Sequence, residues 1–235
     1  MNIKYILIVL GEPYSTFSEI IGKYFSKIRK FKKKIIIIGN KNLLEKQLKY
    51  LNYKLKINEI NNYDEAKRNK INIININFKH KKIFDKISKK SNNYIENSFQ
   101  KSLEIIKKEK NNLILINGPV SKKTFLKKKF SGITEYLAKN TKSSHETMLI
   151  YNSKISVSPL TTHIPIKNVA KEIKKNKIYM NVINLYNFYK KILNKRALFA
   201  VLGLNPHCET LDKFSEEDKI IIPAIKKLKS KGINI

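Results

Sequence analysis

The chain has 235 residues, 42% of them hydrophobic, a net charge of +31 and one cysteine, Cys208. That length suits one large or two small domains with a real core, and the single cysteine excludes a disulfide framework and a multi-cysteine zinc site. The charge invites a polyanion partner, yet 46 of the 49 basic residues are lysine and only Arg29, Arg68 and Arg196 carry the guanidinium fork that reads bases.

Lysine, isoleucine and asparagine all have A/T-rich codons. They are spread along the whole chain, so drift in an AT-rich genome accounts for the charge without a specific nucleic-acid partner. The apolar core of "MNIKYILIVLGEP" is too short for a signal peptide, and "KKKIIIIGN" is too short to span a bilayer. A soluble cytoplasmic protein with no membrane contact is the expectation.

In chain order, "KYILIVL" reads as a buried strand. Phe17, Ile20, Ile21, Tyr24, Phe25 and Ile28 follow at helical spacing. "KIIIIG" is the next strand, and Gly39-Asn40 turns into a helix carrying Leu43, Leu44, Leu48 and Leu51. Residues 58–90 are a low-complexity Asn/Lys stretch with one alternating segment, "INIININF". Ile95, Phe99, Leu103 and Ile106 mark another helix, and "NLILIN" another strand. Two strands are expected in "TMLIYNSKISVSPL", two helices over residues 166–193 and a strand in "ALFAVLGL". The last helix starts at Ser215, with Asp218 as its capping-box partner and Gly232 as its stop. This alternation argues an α/β fold with a largely parallel sheet.

Four polar motifs share a position: "GEP", "NGPVSKK", "TTHIP" and "NPHCE" each follow an expected strand. In open α/β folds, ligands bind at that edge of the sheet. Gly11, Gly118, His163 and His207 are therefore expected along one edge. Of the four histidines, His80 reads as solvated and His145 as a loop residue. His163 and His207 sit in turns beside proline, where neutral imidazoles suit a shared divalent metal. Two imidazoles do not complete a metal site.

"INGPVSK", "SGITEYLAKN", "TTHIPIKNVAKEI", "VLGLNPH" and "EEDKIIIPAIKKLKSKGI" resemble, in order and spacing, the 4-hydroxythreonine-4-phosphate dehydrogenase family (PdxA). The resemblance implies two α/β domains around a cleft, similar to the isocitrate and isopropylmalate dehydrogenases. The expected domains are residues 1–120, incomplete without a C-terminal segment, and residues 121–235. It implies a homodimer that uses NAD and a divalent metal (Zn, Co or Mg). It also implies oxidation and decarboxylation of a small phosphorylated amino acid, 4-hydroxythreonine 4-phosphate, in pyridoxal phosphate biosynthesis. By the same resemblance, His163 and His207 are metal ligands, Thr134 lies beside the substrate, and Lys122 lies at the cleft near a phosphate.

The chain also departs from the family. Ile133 stands where the family motif Gly-His-Thr-Glu has a substrate-binding histidine, and an isoleucine has no hydrogen-bonding group to offer. "YSTFS" and "CETLDKFS" replace glycine-rich loops. Family members continue past the position of Ile235, through a third metal histidine and much of the NAD surface. The expectations that follow are a separately encoded C-terminal segment, a reshaped first domain, or an inactive remnant that binds metal weakly. A basic nucleic-acid-binding protein is the further alternative.

Overall fold

Five short runs dominated by isoleucine and leucine pair into one sheet. β1 spans Tyr5–Val9, β2 Lys34–Gly39, β3 Ile57–Ile60, β4 Ile71–Asn75 and β5 Leu113–Asn117. The order is β3-β4-β2-β1-β5 and every pairing is parallel. The computed structural model describes residues 3–28, 30–109, 112–126, 129–130, 132–143, 145–208 and 215–235.

The central strands are continuous apolar runs because both faces of the sheet are covered. Side chains alternate between the faces. Leu7, Val9, Ile36 and Ile38 pack with Tyr94, Ile95 and Phe99 of α3 (Asn92–Lys108). Ile8, Ile35, Ile37 and Ile73 pack with Ile21 and Phe25 of α1 (Phe17–Lys27) and Leu44 and Leu48 of α2 (Lys41–Tyr50). Asn40 caps α2: its Oδ1 accepts from the Leu43 N–H at 2.9 Å, and its Nδ2 donates to the Ile76 carbonyl.

Two sequence expectations shift here. Ile20 and Tyr24 of α1 are about half exposed, and Ser18 and Gly22 turn inward instead. Gly22 is needed there, because a Cβ would lie 2.2 Å from the Tyr53 ring. β3 emerges from the low-complexity stretch. It is joined to β4 by Asn58, whose Nδ2 donates to the fully buried Asn72. Asn72 in turn donates to the carbonyls of Ile35, Lys67 and Lys70, so this strand asparagine is well satisfied.

The chain divides into two compact units, Met1–Thr141 and Lys142–Ile235. The first holds the sheet, α1 to α3, and α4 (Ile133–Thr141). The second holds α5 (Val169–Glu172), α6 (Lys175–Lys191) and α7 (Ile222–Lys229), the last preceded by a π-helical turn, Glu217–Ile221. Gly232, at φ +74°, ends α7 with its N–H on the Lys229 carbonyl.

The strands expected in the second unit are not formed among its described residues. "TMLIYNSKISVSPL" contributes one antiparallel bridge, Ile150 to Val157. Residues 197–203 are irregular, with Phe199 N–H bonded to the Asn234 carbonyl. A strand exists only beside a partner strand, and none flanks these segments among the described residues. Leu198, Leu202 and Ile155 accordingly stand more than three-quarters exposed. The parallel α/β architecture thus belongs to the first unit. Among the described residues, no helix is long and apolar enough to cross a membrane.

Candidate functional site

β1 and β5 are neighbours, while the chain from β1 crosses through α1 to β2 on the opposite side. The gap between these directions is a topological switch point, where α/β sheets bind ligands. The loops after β1 and β5 meet there. Gly118 N–H donates to the Val9 carbonyl at 2.7 Å, and Glu12 N–H to the Pro119 carbonyl at 2.8 Å. Gly11 sits at φ +69°, and a Cβ on it would lie 2.4 Å from the Pro119 oxygen. On Gly118 a Cβ would lie 2.2 Å from the Leu10 oxygen. Both glycines are fixed by this backbone approach. The edge expectation therefore holds for Gly11 and Gly118.

Glu12 turns inward beneath this junction. Its Oε1 accepts from Ser91 Oγ at 2.8 Å, and its Oε2 is buried without a partner among the described residues. Burial pushes its carboxyl above the usual range, against the opposing pull of the Ser91 bond. Glu12, Ser18, Asn40, Gln47 and Tyr94 line a recess there. The sequence reading noticed "GEP" as a loop but missed the buried carboxylate. An inward glutamate in a strand-end turn leaves no periodic signal.

Lys122 is exposed in the turn after β5, whose Ser121 Oγ accepts from the Thr124 N–H. Thr134 is exposed on the first turn of α4. Its neighbour Ile133 packs against the main core beside Phe130 and Leu137.

His163 and His207 lie in the second unit. No strand immediately precedes either of them among the described residues. Both are exposed, and both adopt the left-handed backbone region, at φ 56° and 58°. That conformation is uncommon outside glycine and marks a turn held by its surroundings. No hydrogen bond occupies either imidazole among the described residues, so each ring nitrogen is available as a ligand. No group of three or more His, Cys, Asp or Glu able to hold a metal occurs among the described residues. His80 departs from the solvated reading: its Nδ1 lies 3.2 Å from the Phe78 carbonyl and its ring stacks on Phe78. His145 is exposed, and its carbonyl accepts from Asn184.

A carboxylate also missed from sequence organises the "GLNPH" turn. Glu217 accepts from Leu204 N–H, Asn205 N–H, Asn205 Nδ2 and Ser215 Oγ at 2.7–3.0 Å. The expected capping box is half realised: Asp218 N–H reaches Ser215 Oγ at 3.4 Å, while Glu217 takes the hydroxyl proton. These bonds, led by that from the Asn205 N–H, hold the Glu217 carboxyl down at about 2.

These features define an α/β protein whose β1 and β5 loops join at a switch point of a parallel sheet, with two exposed imidazoles in its second unit. Solved structures share the fold. A Klebsiella pneumoniae 4-hydroxythreonine-4-phosphate dehydrogenase superposes with a TM-score of 0.79 at 20% identity, covering 98% of this chain and 73% of that one. The Burkholderia phymatum enzyme of the same name gives 0.78 at 21% identity, covering 100% and 73%. Among curated proteins, the 4-hydroxythreonine-4-phosphate dehydrogenase of Sulfurihydrogenibium sp. is 33% identical over 97% of this chain and 71% of its own length. That of Aquifex aeolicus is 29% identical over 99% and 72%. The profile of pyridoxal phosphate biosynthetic protein PdxA matches residues 31–235. The chain belongs to the PdxA family.

Proposed function

We propose that this chain supplies the metal and substrate end of a 4-hydroxythreonine-4-phosphate dehydrogenase. In that reading the C3 hydroxyl of 4-hydroxythreonine 4-phosphate is oxidised with NAD and the product loses carbon dioxide, on the way to pyridoxal phosphate. Within a family membership already established, one observation carries it: His163 and His207 are both exposed, free of hydrogen bonds among the described residues, and held in left-handed turns.

The two imidazoles fit Zn or Co as nitrogen donors and would hold the ion through their ring nitrogens. When bound, a divalent ion lowers the pKa of a coordinated hydroxyl and polarises a ketone as a Lewis acid. Lys122 would supply a positive charge to the substrate phosphate, and Thr134 a hydroxyl to orient the substrate. For NAD the fit is poor at the β1 loop. Residues 11–15 carry a single glycine, and its freedom is used against Pro119 rather than to admit a pyrophosphate. The chain's own chemistry thus lies at the metal and substrate. By family analogy the working unit is a cytoplasmic homodimer.

A second reading, a metal-binding remnant without turnover, is favoured by Ile133, whose side chain belongs to the core rather than to a substrate. The two readings separate in an assay of NADH formation from 4-hydroxythreonine 4-phosphate with added Zn, Co or Mg. The chain is tested alone and with a second polypeptide covering the remaining length of the Sulfurihydrogenibium relative. The dehydrogenase reading expects little turnover alone and rescue by the second piece. Absence of rescue selects the remnant.

A further inference from the structure

The turn that carries His207 is strained, and most of its ties among the described residues run to the start of the π-helical turn. His207 and Cys208 are consecutive non-glycine residues with positive φ, 58° and 56°. Such a pair persists only where the surroundings over-determine it. The Cys208 N–H closes the turn on the Asn205 carbonyl at 3.1 Å. Both backbone N–H groups of residues 204 and 205 and one proton of the Asn205 amide converge on one side chain. Glu217 Oε1 accepts from both backbone N–H groups, at 2.7 Å from Leu204 and 2.9 Å from Asn205. Its Oε2 accepts from Asn205 Nδ2 at 2.9 Å and from Ser215 Oγ at 3.0 Å. The second proton of that amide goes to Glu216 Oε2, also at 2.9 Å.

Glu217 is itself immobilised. It is 4% exposed and opens a π-helical turn whose Ile221, with Ala224 of α7, packs against Ile173, Ile178, Val201 and Leu204. Single π turns recur at functional sites. Gly203 completes the fit: a Cβ there would lie 2.2 Å from Cys208 Sγ and 3.3 Å from Glu217 Oε1. A carboxylate that receives two backbone amides and a side-chain amide is a charge-assisted clamp with defined direction.

We infer that Glu217 is a positioning residue: it clamps residues 204–205 and so fixes the turn that presents the His207 imidazole to a metal. The metal part of this inference rests on the proposed role of His207, whereas the clamp itself does not. Glu217 acts through the backbone of Leu204 and through Asn205. Outer groups that orient a ligand in this way commonly change metal affinity by about 10–100-fold.

The test uses the 235-residue chain with labelled histidines, Glu217→Gln, and, as a control, Asp218→Asn, whose side chain is exposed in the same turn. The glutamine keeps the size of the side chain but replaces an acceptor oxygen with a donor facing donors. With far-UV circular dichroism unchanged, Glu217→Gln is expected to shift the imidazole resonances of His207 while leaving those of His163 in place. It is also expected to weaken Co2+ binding about tenfold. Asp218→Asn is expected to do neither. A folded Glu217→Gln protein with wild-type His207 resonances overturns the inference. If Glu217→Gln does not fold, Asn205→Ala, which removes the side-chain bonds and keeps the backbone ones, is read by the same resonances. An unmoved His207 there overturns the inference equally. If His207→Ala leaves Co2+ binding unchanged, the metal role of His207 fails, and the resonances still decide the clamp.

Discussion

Two buried carboxylates, Glu12 and Glu217, carry pKa shifts of opposite sign, and the difference lies in their partners. Among the described residues Glu217 receives four hydrogen bonds and Glu12 one. For Glu217 the folded value, about 2, lies below the ordinary 4.5. Its contribution to stability is therefore present above pH 4.5 and lost as pH falls from there towards 2. For Glu12 the folded value is raised by burial, so its contribution is present below 4.5 and lost as pH rises through the folded value. Thermal unfolding across pH should show both signs. Glu217→Gln is expected to flatten the acid loss of stability. Glu12→Gln, which keeps an acceptor for Ser91, is expected to melt no lower than wild type at neutral pH. A Glu12→Gln protein clearly less stable at neutral pH would mean that the carboxylate charge itself is needed there. Neither residue was legible in the sequence as a buried anion, because nothing local distinguishes a carboxylate facing backbone amides from one facing water. The capping reading of Ser215 found the right turn and one half of the box: the Asp218 N–H reaches Ser215 Oγ, while the hydroxyl itself donates to Glu217.

At the scale of elements, the strands and helices of the first unit were readable because apolar runs and helical periodicity coincide with their burial. β1, β2, α2, α3 and β5 fall where the sequence puts them. α1 is rotated from its apolar stripe, because Gly22 admits the Tyr53 ring and draws the small residues inward. β3 was hidden by asparagine-rich composition: it pairs with β4 along a parallel ladder to which Asn58 and Asn72 add a side-chain bond, and its short span carries no apolar run. The second unit shows the converse: apolar runs without strand neighbours do not become strands. The join between the β1 and β5 loops makes a quantitative prediction. Gly11 and Gly232 share a left-handed φ, +69° and +74°, but only Gly11 is crowded. Gly232→Ala is expected to cost about 1 kcal/mol from backbone strain alone. Gly11→Ala adds overpacking and is expected to cost about 3 kcal/mol or more. Urea unfolding measures both, and equal losses would refute the tight join.

At the scale of the whole molecule, charge and family point in different directions, and the lysines decide between them. A chain with 46 lysines and three arginines has point charges without base-reading forks. A labelled duplex titrated at two salt concentrations should bind weakly, without sequence preference, and lose affinity steeply as salt rises. Tight binding that survives high salt and prefers one sequence would reverse that reading of the charge. The motifs "TTHIP" and "GLNPH" made the family legible because they place chemistry at fixed spacing. The packing of Ile133 and the clamp at Glu217 were not legible, because both depend on contacts distant in sequence.

The central claim is that His163 and His207 together bind a divalent metal. The most direct measurement is a Co2+ titration of the 235-residue chain, followed by optical absorption, beside His163→Ala, His207→Ala and His80→Ala. Two imidazoles alone are expected to give weak but saturable binding. Each of the first two substitutions should abolish most of it, and His80→Ala should leave it intact. Co2+ binding that survives both His163→Ala and His207→Ala would contradict the account.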